Sequence, residues 1–188
     1  MYKICHTEES SRRQRELEQG FLNMLQIQTY DKITLTELCR QLHIPRKTFY
    51  RYFPTKEDCL LALIDHTLSD CNDIALGGWS GSTRLDEAVQ LRFFRYWKER
   101  RNFLDAIRAS NLQGMLLERT TVIVDRMKEN GSFGHFARDQ VEYFIAHGLM
   151  TTVLRWHAFG FPGSPEDMAA VFGHLLCSSD ISITRLML

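Results

Sequence analysis

Arg40, Arg46, Lys47, Arg51 and Lys56 are the only charged residues between Leu38 and Lys56. Glu57 and Asp58 restore the balance at once. A chain whose 23 basic and 23 acidic residues give a net charge of +0 therefore carries a local patch of five cations and no acid. The charge concentrates in Arg46-Lys47-Thr48-Phe49-Tyr50-Arg51, where cations alternate with hydroxyls. Guanidinium, ammonium and hydroxyl groups are the donors that phosphate oxygens and major-groove base edges accept from. The same charges would also serve as the solvated face of a small helical bundle, and spacing and charge leave both readings open. Composition cannot decide between them, because the whole chain is neutral.

Two short helices must position this patch. Thr34-Leu35-Thr36-Glu37 has the Thr-x-x-Glu form of a capping box, with Leu38 and Leu42 following at helical spacing. Pro45 opens a second segment to Tyr52, in which Phe49 and Tyr52 or Phe53 share a face, and Pro is favourable at a first helical position. Leu42-His43-Ile44-Pro45 between them has the length of the tight turn in a helix-turn-helix. Pro54 is a break. Thr55 then caps a further helix with Glu57 and Asp58 in its first turn and Leu60, Leu61, Ile64 and Leu68 behind them. Upstream, Leu17, Phe21, Met24, Leu25 and Gln28 repeat at helical spacing, with Ser10 or Ser11 available as cap.

Beyond a Gly/Ser-rich linker at Leu76–Ser82, further helices are expected around Leu85–Trp97, Phe103–Ile107, Leu112–Met127, Asp139–Phe159 and after Ser164-Pro165-Glu166-Asp167, with Gly131–Gly134 as a break. No alternating pattern of useful length competes. The expectation is an all-α chain of roughly nine helices.

Composition excludes other classes. Apolar residues are 44% and charged residues 24%, ordinary globular usage, so a disordered, collagen-like or disulfide-miniprotein chain does not fit. Cys5, Cys39, Cys59, Cys71 and Cys177 are odd in number and contain no CxxC, as suits reduced thiols in a cytosol. The seven histidines form no ligand cluster, so no metal or cofactor is expected. A polar N-terminus and the lack of an 18-residue apolar run argue against a signal peptide and a membrane span, and a cytoplasmic location is expected. No Gly-rich phosphate loop, nucleophile elbow or paired-His motif points to an enzyme.

The run Ile33 to Leu60, above all Thr48-Phe-Tyr-Arg-Tyr-Phe-x-x-Lys56-Glu57, resembles the N-terminal domain of the tetracycline-repressor (TetR) family of bacterial regulators, with the match extending from about Gln14 to Leu68. The resemblance implies a helix-turn-helix DNA-binding domain over residues 1–55, a connecting helix over 56–75, and a helical ligand-binding and dimerisation domain over 76–188. It implies a recognition helix at about Pro45–Tyr50, and Lys56 and its amide on phosphate. With the cation and hydroxyl pattern, the expected DNA contacts are Thr34, Arg46, Lys47, Thr48, Tyr50, Arg51 and Lys56. His43 stands in a turn where the family often has Gly, at a position that commonly needs positive φ. Pro45 stands where the family usually has a Ser or Thr cap.

The region after Leu76 resembles the family only in organisation. Its density of aromatic and methionine residues suits a pocket for a small, mostly apolar effector, lined by Phe93, Trp97, Met115, Leu116, Arg119, Tyr143 and His147, and suits plain core packing equally. The last two helices match those that build the family's dimer, which puts Phe144, Thr152, Trp156, Met168, Phe172 and Leu175 at the interface. The expected function is a homodimeric repressor of operator DNA released by an effector. The alternatives are an activator or coactivator subunit of the same fold, and an all-helical enzyme.

Overall fold

The computed structural model describes residues 2–5, 7–76, 87–129 and 136–177. The linker expected after Leu76 and the break at Gly131–Gly134 lie outside the described residues. Among the described residues there are nine α-helices and no strand: α1 Glu8–Leu25, α2 Leu35–Gln41, α3 Arg46–Tyr50, α4 Lys56–Leu76, α5 Glu87–Glu99, α6 Arg101–Ala109, α7 Gln113–Glu129, α8 Phe136–Ala158 and α9 Pro165–Cys177. They cluster into two compact units, Met1–Leu68 with Asn102–Thr151 and Ser69–Arg101 with Thr152–Leu188.

In the first unit, Thr7 caps α1 in place of Ser10 or Ser11, its hydroxyl accepting from the Ser10 amide at 3.3 Å. Glu8 and Glu9 then occupy the first turn, where the helix dipole favours negative charge. α1 buries Leu17, Phe21, Met24 and Leu25, and Gly20 leaves room for Leu42 to lie against it, since a Cβ there would meet Leu42 Cδ2 at 2.0 Å. Thr34 caps α2 by accepting from the Glu37 amide at 3.2 Å. Thr55 caps α4 through the Asp58 amide at 3.0 Å.

α2 ends in a Schellman motif, with the His43 amide donating to Arg40 at 3.1 Å and the Ile44 amide to Cys39 at 3.0 Å. His43 has φ +52° there, the left-handed conformation expected of this turn. His tolerates it better than most side chains but less well than Gly. His43→Gly is therefore expected to add about 0.5 kcal/mol of stability, the relief of strain being partly offset by glycine's greater unfolded-state entropy. His43→Val should remove about 1–2 kcal/mol, because a β-branched side chain is poorly accommodated at positive φ. Urea midpoints of the two variants check both signs.

In the second unit, α5 packs on α9. Phe94 is fully buried, with ring centroids 5.5 Å from Phe172 and 5.9 Å from Trp156. Ser164 and Asp167 form a reciprocal capping box at the start of α9: the Asp167 amide donates to Ser164 Oγ at 3.0 Å and the Ser164 amide to Asp167 Oδ2 at 2.8 Å. The Ser164 amide and hydroxyl, both donating to Asp167 Oδ2 at 2.8 Å, hold the Asp167 carboxyl below its ordinary value, and the bond from Arg95 does the same for Glu166. A carboxyl lowered in the folded state stabilises it above the unfolded carboxylate range, about 4, and ceases to as pH falls through the folded value. The urea midpoint should fall as the solution is acidified through that window, and Asp167→Asn should flatten part of the fall.

Candidate nucleic-acid interface

α3 is a five-residue helix, too short to hold its own shape from backbone bonds alone. Its anchor is Phe49, fully buried and 5.3 Å from the equally buried Phe53. Tyr52 is buried too, so both members of the Tyr52/Phe53 alternative face inward. With that side fixed, Arg46, Lys47, Tyr50 and Arg51 are exposed on the other, and Thr48 is half-buried between them. Pro45 is the N-cap rather than the first helical residue, and it offers no side-chain cap bond.

Two of the cations are pre-ordered. The Arg46 guanidinium donates to the Thr36 hydroxyl at the start of α2, which ties the two helices of the motif together across the turn. Arg51 donates to Tyr52 Oη at 3.2 Å and lies 5.1 Å from that ring's centroid. Lys47 and Tyr50 are free to adapt, and Tyr50 is 52% exposed with its ring edge against Phe49. Preformed guanidinium forks lose less conformational entropy on meeting a phosphate or a base edge than mobile ones.

Thr34 and Lys56 serve the fold as well as the face. The Thr34 hydroxyl is the α2 cap. Lys56 Nζ donates to the carbonyls of Tyr30 at 2.8 Å and Ile33 at 2.7 Å, and sits 3.9 Å from the centroid of the Tyr30 ring. Desolvation at this half-buried position lowers its pKa. Two of its three N–H groups thus hold the segment between α1 and α2 against the start of α4. Lys56→Met keeps the stem and removes these bonds, and should cost about 1–3 kcal/mol in a urea titration.

Asp65 is the residue that the sequence reading passed over, and Thr36 entered it only as part of the capping-box run. Asp65 on α4 is fully buried. It accepts from Arg119 Nε and Nη2 at 2.6 Å each, from Tyr2 Oη at 2.8 Å and from Arg126 at 3.3 Å. Burial, and then the carboxylate it serves, push the Tyr2 phenol up to about 12, so it remains a donor. An acid within the apolar run Leu60 to Leu68 was the available signal; its partners lie more than fifty positions away.

The residues expected around an effector fall in different units. Phe93 and Trp97 belong to the second, where Trp97 is fully buried and their ring centroids are 6.4 Å apart. Met115, Leu116, Arg119, Tyr143 and His147 belong to the first. There the polar members already have protein partners: Arg119 holds Asp65, Tyr143 donates to Asp125, and His147 lies between Thr121 Oγ1 at 3.1 Å and the Tyr143 carbonyl at 2.9 Å. Of the residues expected at the dimer interface, Phe144 is 71% exposed on α8. Thr152, Met168 and Phe172 are half-buried. Trp156 is buried within its own unit, its Nε1 donating to the Pro162 carbonyl at 2.7 Å. The Leu175 side chain lies outside the described ones. Among the described residues no three His, Cys, Asp or Glu side chains could hold a metal ion, and no helix is long and apolar enough to cross a membrane.

A capped helix, a Schellman turn and a short second helix anchored by phenylalanine, carrying four exposed polar donors, define a helix-turn-helix module. Residues 22–63 match the family described as "Bacterial regulatory proteins, tetR family". No curated protein matches the chain. Among solved structures, it is similar to "Dihydroxyacetone kinase operon activator DhaS", with a TM-score of 0.56 and 20% identity over 87% of this chain and 93% of that one. It is also similar to a TetR family transcription regulator from Marinobacter aquaeolei VT8, with a TM-score of 0.50 and 17% identity over 86% of this chain and 95% of that one. At such identities the two structures share its fold, and the module of residues 22–63 carries the family assignment. Over residues 22–63 the chain is similar to the tetR family of bacterial regulatory proteins, which makes this module a TetR-like one.

Proposed function

We propose that the chain binds operator DNA as a homodimer in the cytoplasm and represses transcription until a small, mostly apolar effector releases it. The observation that carries this reading is the exposed set Arg46, Lys47, Tyr50 and Arg51 on a helix seated by the fully buried Phe49. Thr34, Thr48 and the remaining N–H of Lys56 complete the proposed contact set. The proposed division of labour is DNA binding over 1–55, connection over 56–75 and ligand binding with dimerisation over 76–188. The exposed Phe144 supports a dimer interface on α8; Thr152, Met168, Phe172 and Leu175 are proposed as interface residues of the second unit, and Trp156, buried within that unit, is not among them. The effector pocket is proposed within the first unit, around Met115 and Leu116, with Arg119, Tyr143 and His147 reaching a ligand only by giving up the partners they now hold.

Activation is the second reading, because DhaS, whose fold the chain shares, is described as an operon activator. A gel shift on the DNA upstream of the chain's own gene, with and without Lys47→Ala, tests the DNA-binding step. Retarded DNA with the wild type and loss of retardation with the variant are expected. Equal retardation by both would remove α3 from the interface. A reporter behind that DNA separates repression from activation by the sign of its response to the protein.

A further inference from the structure

The first unit also contains a cleft of about 440 Å3 among the N-terminal segment, α1, α4 and α7, lined by Tyr2, Lys3, Ile4, Gln14, His66 and Arg126 with three neighbours. It shares no residue with the proposed effector pocket. Gln14 is only 2% exposed, yet its Nε2 has no hydrogen-bond partner. A buried amide donor left unpaired is costly, and a polar partner in the space beside it is the usual explanation. Among the described residues no protein acceptor pairs with it, and no acidic residue lines the cleft to repel an anion. His66 is already turned to Glu18, its Nδ1 at 2.9 Å from Oε2.

Arg126 supplies charge that can be redirected. It is 41% exposed and holds Asp65 at 3.3 Å, whereas Arg119 serves the same carboxylate twice at 2.6 Å and Tyr2 serves it at 2.8 Å. Turning Arg126 toward the cleft leaves Asp65 paired. Tyr2 and Ile4 give the cleft an apolar wall beside these donors, and its volume lies in the range of small-molecule sites.

We propose that this cleft binds a small organic anion, a carboxylate or phosphate monoester on an apolar body, whose charged oxygens accept from Gln14 Nε2 and Arg126. Such a ligand would join the N-terminal segment and α1 to α4 and α7. The test needs no DNA, so it stands or falls apart from the operator reading. The full chain is titrated calorimetrically with benzoate, phenyl phosphate and, as a neutral control, benzyl alcohol. At least one of the anions should bind saturably and more tightly than the alcohol, and the preferred anion identifies the head group. Gln14→Met and Arg126→Met should each weaken that anion about tenfold, the loss of one hydrogen bond to a charged group. Urea titration confirms that each variant is folded, and the exposed Arg126 gives a second variant should Gln14→Met perturb the core. Anions that bind no better than benzyl alcohol, or that bind both folded variants as tightly as wild type, would show the cleft to hold water alone and overturn the proposal.

Discussion

Raising salt from about 50 to 200 mM should weaken operator binding by about four decades. Arg46, Lys47, Arg51 and Lys56 are the cations of the proposed contact set, four per protomer and so eight in a dimer. Each phosphate neutralised by a cation releases condensed counterions, and the slope of log K against log salt is about −0.9 per phosphate on duplex DNA. Eight contacts give a slope of about −7, and a fourfold rise in salt then yields the four decades. Lys47→Ala removes two cations per dimer and should reduce the slope by about 2. Lys56→Met should reduce it by less, because two of the three Lys56 N–H groups are spent on the Tyr30 and Ile33 carbonyls. Fluorescence anisotropy at several salt concentrations measures all three slopes, and a flat wild-type line would exclude a phosphate interface of this size.

Asp65→Ala should lower the free energy of unfolding by about 3 kcal/mol, at the lower end of the range for broken buried pairs. The Asp65 side chain is fully buried and that of Arg119 is 18% exposed, so deletion strands a guanidinium with little water to replace the carboxylate. Arg126, at 41% exposed, and Tyr2 lose the same acceptor but can turn toward solvent or the cleft. Replacing both members by apolar residues, Asp65→Leu with Arg119→Met, should recover most of the loss, since the penalty lies in the unpaired charge rather than in the missing attraction. Urea denaturation of the two variants measures this. A loss below about 1 kcal/mol for Asp65→Ala would mean that the pair is already well hydrated.

The helices were legible where local chemistry decides them. Thr34, Thr55 and Ser164 cap the helices that their sequence patterns announce. The turn at His43 was legible through the resemblance, which implies positive φ there, and helix, turn and helix span only the sixteen residues from Leu35 to Tyr50. α1 was less so, because Thr7, Ser10 and Ser11 are chemically equivalent caps and only the packing of Leu17 and Phe21 selects the register. Side chains committed across long separations were not legible. Lys56 reads as a free cation until the Tyr30 and Ile33 carbonyls are placed beside it. Arg119 and His147 read as ligand groups until Asp65 and Thr121 are found on them. Cys39, Cys59 and Cys71 are buried thiols, and burial pushes the Cys59 thiol well above its usual value.

The central claim is that α3, presented twice by a dimer, reads DNA. A helix of five residues spans only a few base pairs, so two copies must fall about one helical turn, roughly 34 Å, apart or at a related spacing. Footprinting of the DNA upstream of the chain's own gene, at moderate salt, tests this most directly. The account predicts two protected half-sites related by an imperfect palindrome, with protection lost for a protein carrying Arg46→Ala and Lys47→Ala together. A single asymmetric footprint, or protection that the double variant leaves intact, would contradict it.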